Sequence, residues 1–366
     1  MRLRSPTIEQ SSRAVFSDTA ASRAIAVGGG RKLMATPVFD TYWRFAVARQ
    51  SLFLKRVRGE PPPWTADPII SAHRFTNVYR ASDRVSQYLI QHVLYEGDQN
   101  PDEIFLRAML FKLFNKIETW ERLRDRVGPI TRRSFDLTRY ERALDELFND
   151  GETVYSAAYI MPSPAFGAVR KHANHLRLID HMLRDSAPAK LQHARSLEDV
   201  FVLLRSYPSL GDFLAFQLAI DLNYSELIDF SEMDFVVAGP GAKDGLKKCF
   251  SDTAGLSDAE VIREVCGMAD AEFKRLGLHF QTLGGRALQL IDCQNVFCEV
   301  DKYARVAHPE DAGRTGRTKI KQRYTANAAP LPQRYPPKWK LRPDAASPAA
   351  PRKHLFVQGS LFDTLG

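Results

Sequence analysis

Ile104-Phe105-Leu106-Arg107-Ala108-Met109-Leu110-Phe111-Lys112-Leu113-Phe114-Asn115-Lys116-Ile117-Glu118-Thr119-Trp120 is the stretch whose reading decides the fold. Ile104, Phe105, Ala108, Met109, Leu113, Phe114, Ile117 and Trp120 recur at three- and four-residue steps, the spacing that lays an apolar stripe along an α-helix. Outward from it the same period continues. Ser82 has the residue type of an N-cap ahead of Val85, Leu89 and Val93. Further helices are expected over 212–222 and 258–276. Strand signals are few and short, Phe235-Val236-Val237 among them, and there is no internal repeat. A mainly α body over 37–305 is expected, long enough for one large or two small domains.

The flanks differ in kind. Residues 1–36 are rich in Ser, Ala and Arg and end near Gly28-Gly29-Gly30, which predicts a disordered N-terminal tail without the apolar region of a secretion signal. Residues 306–353 read as a basic, Pro-rich linker. Between Arg314 and Lys353 there are 11 Lys/Arg against one acid, Asp344, so this segment carries +10 of a chain total of +8 and the rest is near −2. Seven prolines in the same segment favour extended, disordered chain. The basic character therefore belongs to the tail, where it would seek phosphates without reading sequence.

Residues 354–366 hold Gln358-Gly359-Ser360-Leu361-Phe362, which resembles the peptide that bacterial replication and repair proteins insert into the sliding clamp. Gln358 suits a backbone contact at a pocket rim, and Leu361 and Phe362 suit an apolar cleft. A terminal strand packed back on the body is the alternative. No apolar run is long enough to cross a membrane. Cys249, Cys266, Cys293 and Cys298 lack the paired spacing of a zinc site or a disulfide framework. A reduced cytoplasmic, nucleoid-associated protein with no metal, no cofactor and no membrane partner is expected.

Candidate chemistry begins at Tyr207-Pro208-Ser209-Leu210-Gly211-Asp212-Phe213-Leu214-Ala215, a proline turn and a glycine before a helix. It resembles the helix-hairpin-helix of base-excision glycosylases, in which amides at a helix N-terminus hold a DNA phosphate and Gly211 would keep the approach open. An ordinary helix–helix turn reads the same way. Asp234 lies 23 residues after Gly211, a spacing comparable to that of the glycosylase aspartate at the start of the next helix. Beyond it, Gly239-Pro240-Gly241 could expose amides to a phosphate, with Lys243 or Lys247 adding charge. No Gly-x-x-x-x-Gly-Lys-Ser/Thr loop occurs anywhere in the chain.

The third constellation is Asp292-Cys293-Gln294-Asn295-Val296-Phe297-Cys298-Glu299-Val300-Asp301-Lys302-Tyr303-Ala304-Arg305. On a helix, Cys293, Val296, Phe297, Val300 and Ala304 share a buried arc. Asp292, Asn295, Glu299 and Lys302 form one polar stripe, and Gln294, Asp301 and Arg305 another. Amides and a thiol are unusual on a merely solvated face, so one side is expected to line a cleft. A surface Glu299–Lys302 ion pair is the plain alternative.

These segments, with Phe39-Asp40-Thr41-Tyr42-Trp43-Arg44-Phe45-Ala46, Pro63-Trp64-Thr65-Ala66-Asp67-Pro68 and Phe75-Thr76-Asn77-Val78-Tyr79-Arg80-Ala81-Ser82-Asp83-Arg84-Val85-Ser86-Gln87, resemble the helical family linked to thymine hypermodification in DNA. That family includes the helical domain of 5-hydroxymethyl-deoxyuridine DNA kinases and the alpha-glutamyl/putrescinyl-thymine pyrophosphorylases, or amino acid:DNA transferases. The resemblance spans nearly the whole body and neither tail. It implies a two-lobed, DNA-glycosylase-like helical fold that acts on a base in DNA.

Lacking a P-loop, the chain departs from the kinase arrangement. The resemblance then implies a transferase that displaces an activated, pyrophosphorylated hydroxymethyl group with an amine. Asp234 is the first candidate to take the amine's proton, with Glu299 or Asp301 second. Lys243, Lys302, Arg305, Gly239 and Gly241 would face the leaving group, and Arg80 and Arg84 would grip flanking phosphates. An internal ion-pair network fits the two arginines equally well. One alternative is a monofunctional glycosylase on a modified pyrimidine. The other is a non-catalytic, clamp-tethered DNA-binding partner of a separate DNA kinase.

Overall fold

A computed structural model of the chain describes residues 22–311, 313–325, 331 and 333–342. The clamp-type peptide, with Gln358, Leu361 and Phe362, lies outside the described residues. Mainly helical structure is what the described chain adopts, in fourteen α-helices and one small sheet.

Helix α1 (Pro37–Val57) starts where Thr36 accepts the Val38 amide and Pro37 supplies a pre-set φ. Asp67 caps α2 (Pro68–Ala72) by accepting the Ile69 and Ile70 amides at 2.8 and 2.9 Å. Helix α3 (Arg84–Leu89) begins just past the expected Ser82 and continues through a π turn at Ile90–Leu94. The deciding stretch forms α4 (Pro101–Phe114) and α5 (Ile117–Val127), separated by Asn115 in the left-handed region at φ 49°. Every residue of α4 from Ile104 to Phe114 is buried, so it is a central helix wrapped on all sides.

Around α4 pack α5, α7 (Lys171–Arg184), α8 (Ala187–Gln192) and α10 (Asp212–Asn223). Helix α6 (Leu137–Asn149) closes on α5 and α7, and α9 (Leu197–Arg205) runs along α10. A second group forms about α14 (Leu290–Ala307), against α1, α2, α11 (Pro240–Cys249) and α12 (Asp258–Gly267). One continuous apolar core joins the two groups. The helix expected over 258–276 is two, α12 and α13 (Ala269–Arg275), because the chain bends at Met268. Residues 235–237 are not a strand. Phe235 is instead held between Phe201 and Phe216, at centroid distances of 5.0 and 5.9 Å.

Disorder over the whole of 1–36 is corrected for its last part. Strands β1 (Arg23–Ala26) and β2 (Lys32–Ala35) pair antiparallel, and β3 (Phe250–Asp252) extends the sheet in the order β1-β2-β3. Leu33 and Ala35 bury their side chains there, and the Thr36 amide donates to the Cys249 carbonyl at 2.9 Å. The basic linker is corrected in the same sense. Arg74 donates to the Gln322 carbonyl and Tyr324 to the Ala72 carbonyl, each at 3.1 Å. Farther on, the Arg286 guanidinium sits 3.9 Å over the Trp339 ring, and Lys338 donates to the Ser225 and Ile228 carbonyls at 2.6 and 2.5 Å. Apolar and carbonyl partners on the body outweigh the Pro-rich composition at these points.

Candidate functional site

Helices α9 and α10 pack as neighbours joined by a short turn in which Ser209 adopts φ 65° and Leu210 is buried. Gly211 is the N-cap of α10, with no side chain capping the helix and open space where a Cβ would stand. Amides of the first turn are therefore unobstructed, the local condition for an anion contact. Asp212 places a negative charge beside them, paired with Arg205 at 2.5 Å.

Asp234 is not at the start of the following helix. It lies in an exposed loop six residues before α11, with Arg263 donating to its backbone carbonyl at 2.8 Å. Its carboxylate has no partner among the described residues.

Glycines bring α11 onto α14. A Cβ at Gly241 would overlap the Cys298 sulfur, one at Gly245 would overlap the Phe297 carbonyl oxygen, and one at Gly239 would lie 2.8 Å from the Phe213 ring. The small size of Gly239 and Gly241 thus admits a neighbour from within the protein, a packing role beside the phosphate contact expected of their amides. Lys243 is exposed in the first turn of α11 and has no ion pair among the described residues.

The polar stripe of α14 holds a segment of the same chain. Asp292 accepts the Arg80 amide at 2.9 Å, Asn295 donates to the Asn77 carbonyl at 2.7 Å, and Glu299 accepts the Thr76 amide at 3.0 Å. Lys302 pairs with Glu299 at 2.7 Å and lies 4.9 Å over the Phe75 ring. Asp301 is buried between Lys248 at 3.2 Å and Arg305 at 2.5 Å. So Glu299, Asp301, Lys302 and Arg305, expected at the reacting group, are engaged in internal pairs.

Arg80 is corrected in the same way. It is buried, bonds Gln217 at 2.9 Å and Asp221 at 2.7 Å, and lies over the Tyr224 ring. Lys112 meets the other Asp221 oxygen at 3.1 Å. A guanidinium committed to a buried carboxylate has no reach toward a phosphate. Arg84 is exposed but paired with Glu118 at 2.8 Å.

What the fold does bring together is a packed contact between the first turn of α10, the loop before α11, and α14. Phe213 projects from the first turn of α10 and touches Gly239, with Tyr159 edge-on at 5.5 Å. Tyr159 also donates to Gln217 at 3.3 Å. Gln294 reaches the same point from α14, its Nε2 3.8 Å from where a Gly239 Cβ would lie. On the segment held by α14, Asp83 accepts the Asn77 amide at 2.7 Å. Its carboxyl is pushed up to about 7, chiefly by burial and then by the Glu299 charge, against the Asn77 bond and the Arg49 and Arg80 charges. Burial likewise raises Asp292 to about 7, with Glu232 adding to it.

Sequence reasoning did not single out Asp83, Phe213 or Tyr159 as site residues. Only the run of amides on α14 hinted at Gln294. Metal-ligand chemistry is gathered elsewhere, at the end of α14, where His308, Glu310 and Asp311 hold ligand atoms within 4.8 Å of one another.

The family described as "5-hmdU DNA kinase, helical domain" matches residues 36–313, and the chain belongs to that family. A curated relative, a 5-hmdU DNA kinase of Bacillus phage SP10, is 29% identical over 289 residues, covering 73% of this chain and 45% of the relative. The chain thus spans under half the length of that relative. No solved structure matches it.

Proposed function

We propose that this chain engages 5-hydroxymethyluracil in DNA and transfers an amine to the activated hydroxymethyl group of that base. Membership of the helical family supplies the substrate class, and the uncapped N-terminus of α10 at Gly211, open where a Cβ would stand, is the observation that carries the reading. A base taken out of the stack would lie close by, with the amides ahead of α10 on a neighbouring phosphate. The amine nitrogen attacks the exocyclic CH2, the C–O bond breaks, and pyrophosphate departs with the bonding pair. The proton released by nitrogen needs an acceptor. Asp234 is exposed, with no carboxylate partner among the described residues, and burial pushes the Asp83 carboxyl up to about 7, near where a general base is most effective. Lys243, exposed and without an ion pair among the described residues, is a cation available to the leaving group.

A second reading draws on the internal pairing of Glu299, Asp301, Lys302 and Arg305: the chain recognises the base for a separate DNA kinase and does no chemistry itself. The C-terminal peptide would tether either protein to a sliding clamp.

Mass spectrometry of nucleosides and free bases separates these readings, after incubation with 5-hydroxymethyluracil DNA or its pyrophosphorylated form and a mixture of amines. An amine-bearing thymidine supports transfer, released base supports a glycosylase, and binding without turnover supports the partner. Asp234→Asn should abolish turnover at nearly unchanged DNA affinity. Equal loss of both would remove Asp234 from the chemistry.

A further inference from the structure

Between the end of α6 and the start of α7 the surface opens into a groove of about 700 Å³. Its lining is mostly apolar and includes Phe148, Thr153, Val154, Tyr155, Val169 and Lys171. Phe148 is 51% exposed and Val169 fully so. Apolar side chains left in water around a hollow mark a place of contact. Cations lie against the rings here. The Arg170 guanidinium sits 4.3 Å over Phe148, and the Lys171 ammonium 4.1 Å over Tyr155. A 2.7 Å hydrogen bond between the Tyr155 hydroxyl and His175 Nδ1 fixes the second ring.

The charges around the groove leave it cationic. Lys171 has no carboxylate partner among the described residues. Neither has Lys116, which donates to Thr153 Oγ1 on the lining at 2.8 Å. Glu152, the acid on that lining, is drawn to Arg122 at 3.7 Å. Arg170 is shared with Asp145 at 3.4 Å. This combination decides the partner. The centre of a protein–protein contact is depleted in charge, whereas cations lie over the aromatic rings of this groove. An unpaired DNA strand matches it, because flat bases alternate with phosphates. Aromatic platforms beside cations hold such strands without reading sequence.

We propose that this groove holds an unpaired stretch of DNA, with a base stacked on Phe148 and flanking phosphates on Lys171 and Lys116. Helix α7 ties the groove to the turn ahead of Gly211. Lys171 stands at its start, and His181 meets the Tyr207 ring edge-on at 6.0 Å. The helix between Lys171 and His181 spans about 15 Å, roughly four phosphate steps of a stacked strand. A strand held at Gly211 therefore reaches the groove within a few nucleotides. Taking a base out of a duplex unpairs DNA nearby, and the groove gives an unpaired base a new stacking surface. The contact is to the strand and not to the modified base, so it holds whichever chemistry the chain performs.

Binding of the full chain is measured over a salt series to a dT single strand and to the same strand made abasic. Two duplexes, with 5-hydroxymethyluracil or thymine at one position, are the controls. The wild type should prefer the dT strand over the abasic one about tenfold, the scale of one stacked base. Phe148→Leu keeps an apolar side chain without a stacking face and should lose that preference. Phe148→Trp should keep it. The position is half-exposed, so both variants should melt with the wild type. Lys171→Gln should make the slope of log K against log salt shallower by about 0.7 on the dT strand.

A dT preference that survives in Phe148→Leu, or is missing from the wild type, overturns the proposal. So does an equal loss on single strand and duplex, which would report a general change in the protein. Single-strand binding untouched by all three variants would give the groove to another kind of partner, such as an acidic peptide, and the proposal would fail. Equal affinity for the two duplexes counts against 5-hydroxymethyluracil recognition and leaves the groove result standing.

Discussion

At Gly245 the α11 backbone passes so close to α14 that a methyl group would meet the Phe297 carbonyl oxygen, an atom fixed in the middle of a helix. Gly245→Ala should therefore cost about 2–4 kcal/mol, the range of overpacking against an immovable neighbour. Gly241→Ala meets the Cys298 side chain, which can rotate, and should cost about 1 kcal/mol. Urea unfolding midpoints give both values, and equal losses would mean that α11 shifts as a whole.

Asp83 carries a pH signature. Its folded carboxyl is pushed from 3.8 up to about 7, so the stability tied to its protonated form is complete below about pH 4 and is lost as pH rises through about 7. Asp83→Asn should flatten the fall in thermal midpoint between those limits. A wild-type slope retained in the variant would move the titration to Asp292, which shares the raised value.

The element that organises the site is α14, which turns three sides to three partners. Its apolar arc joins the core, its Asp292–Glu299 stripe holds residues 76–80, and its Cys298 side receives α11. That a helix stood here with two polar stripes was legible from the 3.6-residue period. What each stripe faced was not, because periodicity fixes a direction around the axis and says nothing of the neighbour. The same limit explains Arg80. Its spacing from Arg84 suits a phosphate grip, yet the pairing carboxylate Asp221 stands 141 residues later on α10. Long-range contacts of this kind have no local trace. Residues 23–35 were misread for a related reason, since their strand pairing depends on Phe250 and Asp252.

Arg80 also gives a test at this scale. Removing it leaves Asp221 buried with Lys112 alone, which should cost about 3–5 kcal/mol. Arg80→Ala should thus lower the unfolding midpoint sharply. Any loss of DNA affinity should track the unfolded fraction. Weaker binding by a fully folded variant would restore the phosphate reading.

Over the whole molecule the charge is divided between body and tail, and the fold redistributes part of it. Of the basic residues past 313, Arg314 pairs with Asp258 at 3.0 Å and Lys338 is drawn onto carbonyls of the body. Arg317, Lys319, Lys321 and Arg323 stay exposed and without a carboxylate partner among the described residues, on a segment fixed beside α2 by the Arg74 and Tyr324 backbone bonds. Four cations held on a segment bonded to the body would meet DNA phosphates at a set position. A free tail would only raise the local affinity for any polyanion. The two cases differ in how binding responds to salt and to the modified base. Each phosphate contact released from duplex DNA changes the slope of log K against log salt by about 0.9. Replacing all four with Gln should make that slope shallower by about 2–4. If the segment positions DNA against the helical body, the variant should also lose preference for 5-hydroxymethyluracil over thymine at matched salt. A shallower slope with the preference intact would assign these four cations to non-specific attraction alone, and would leave base selection to the body.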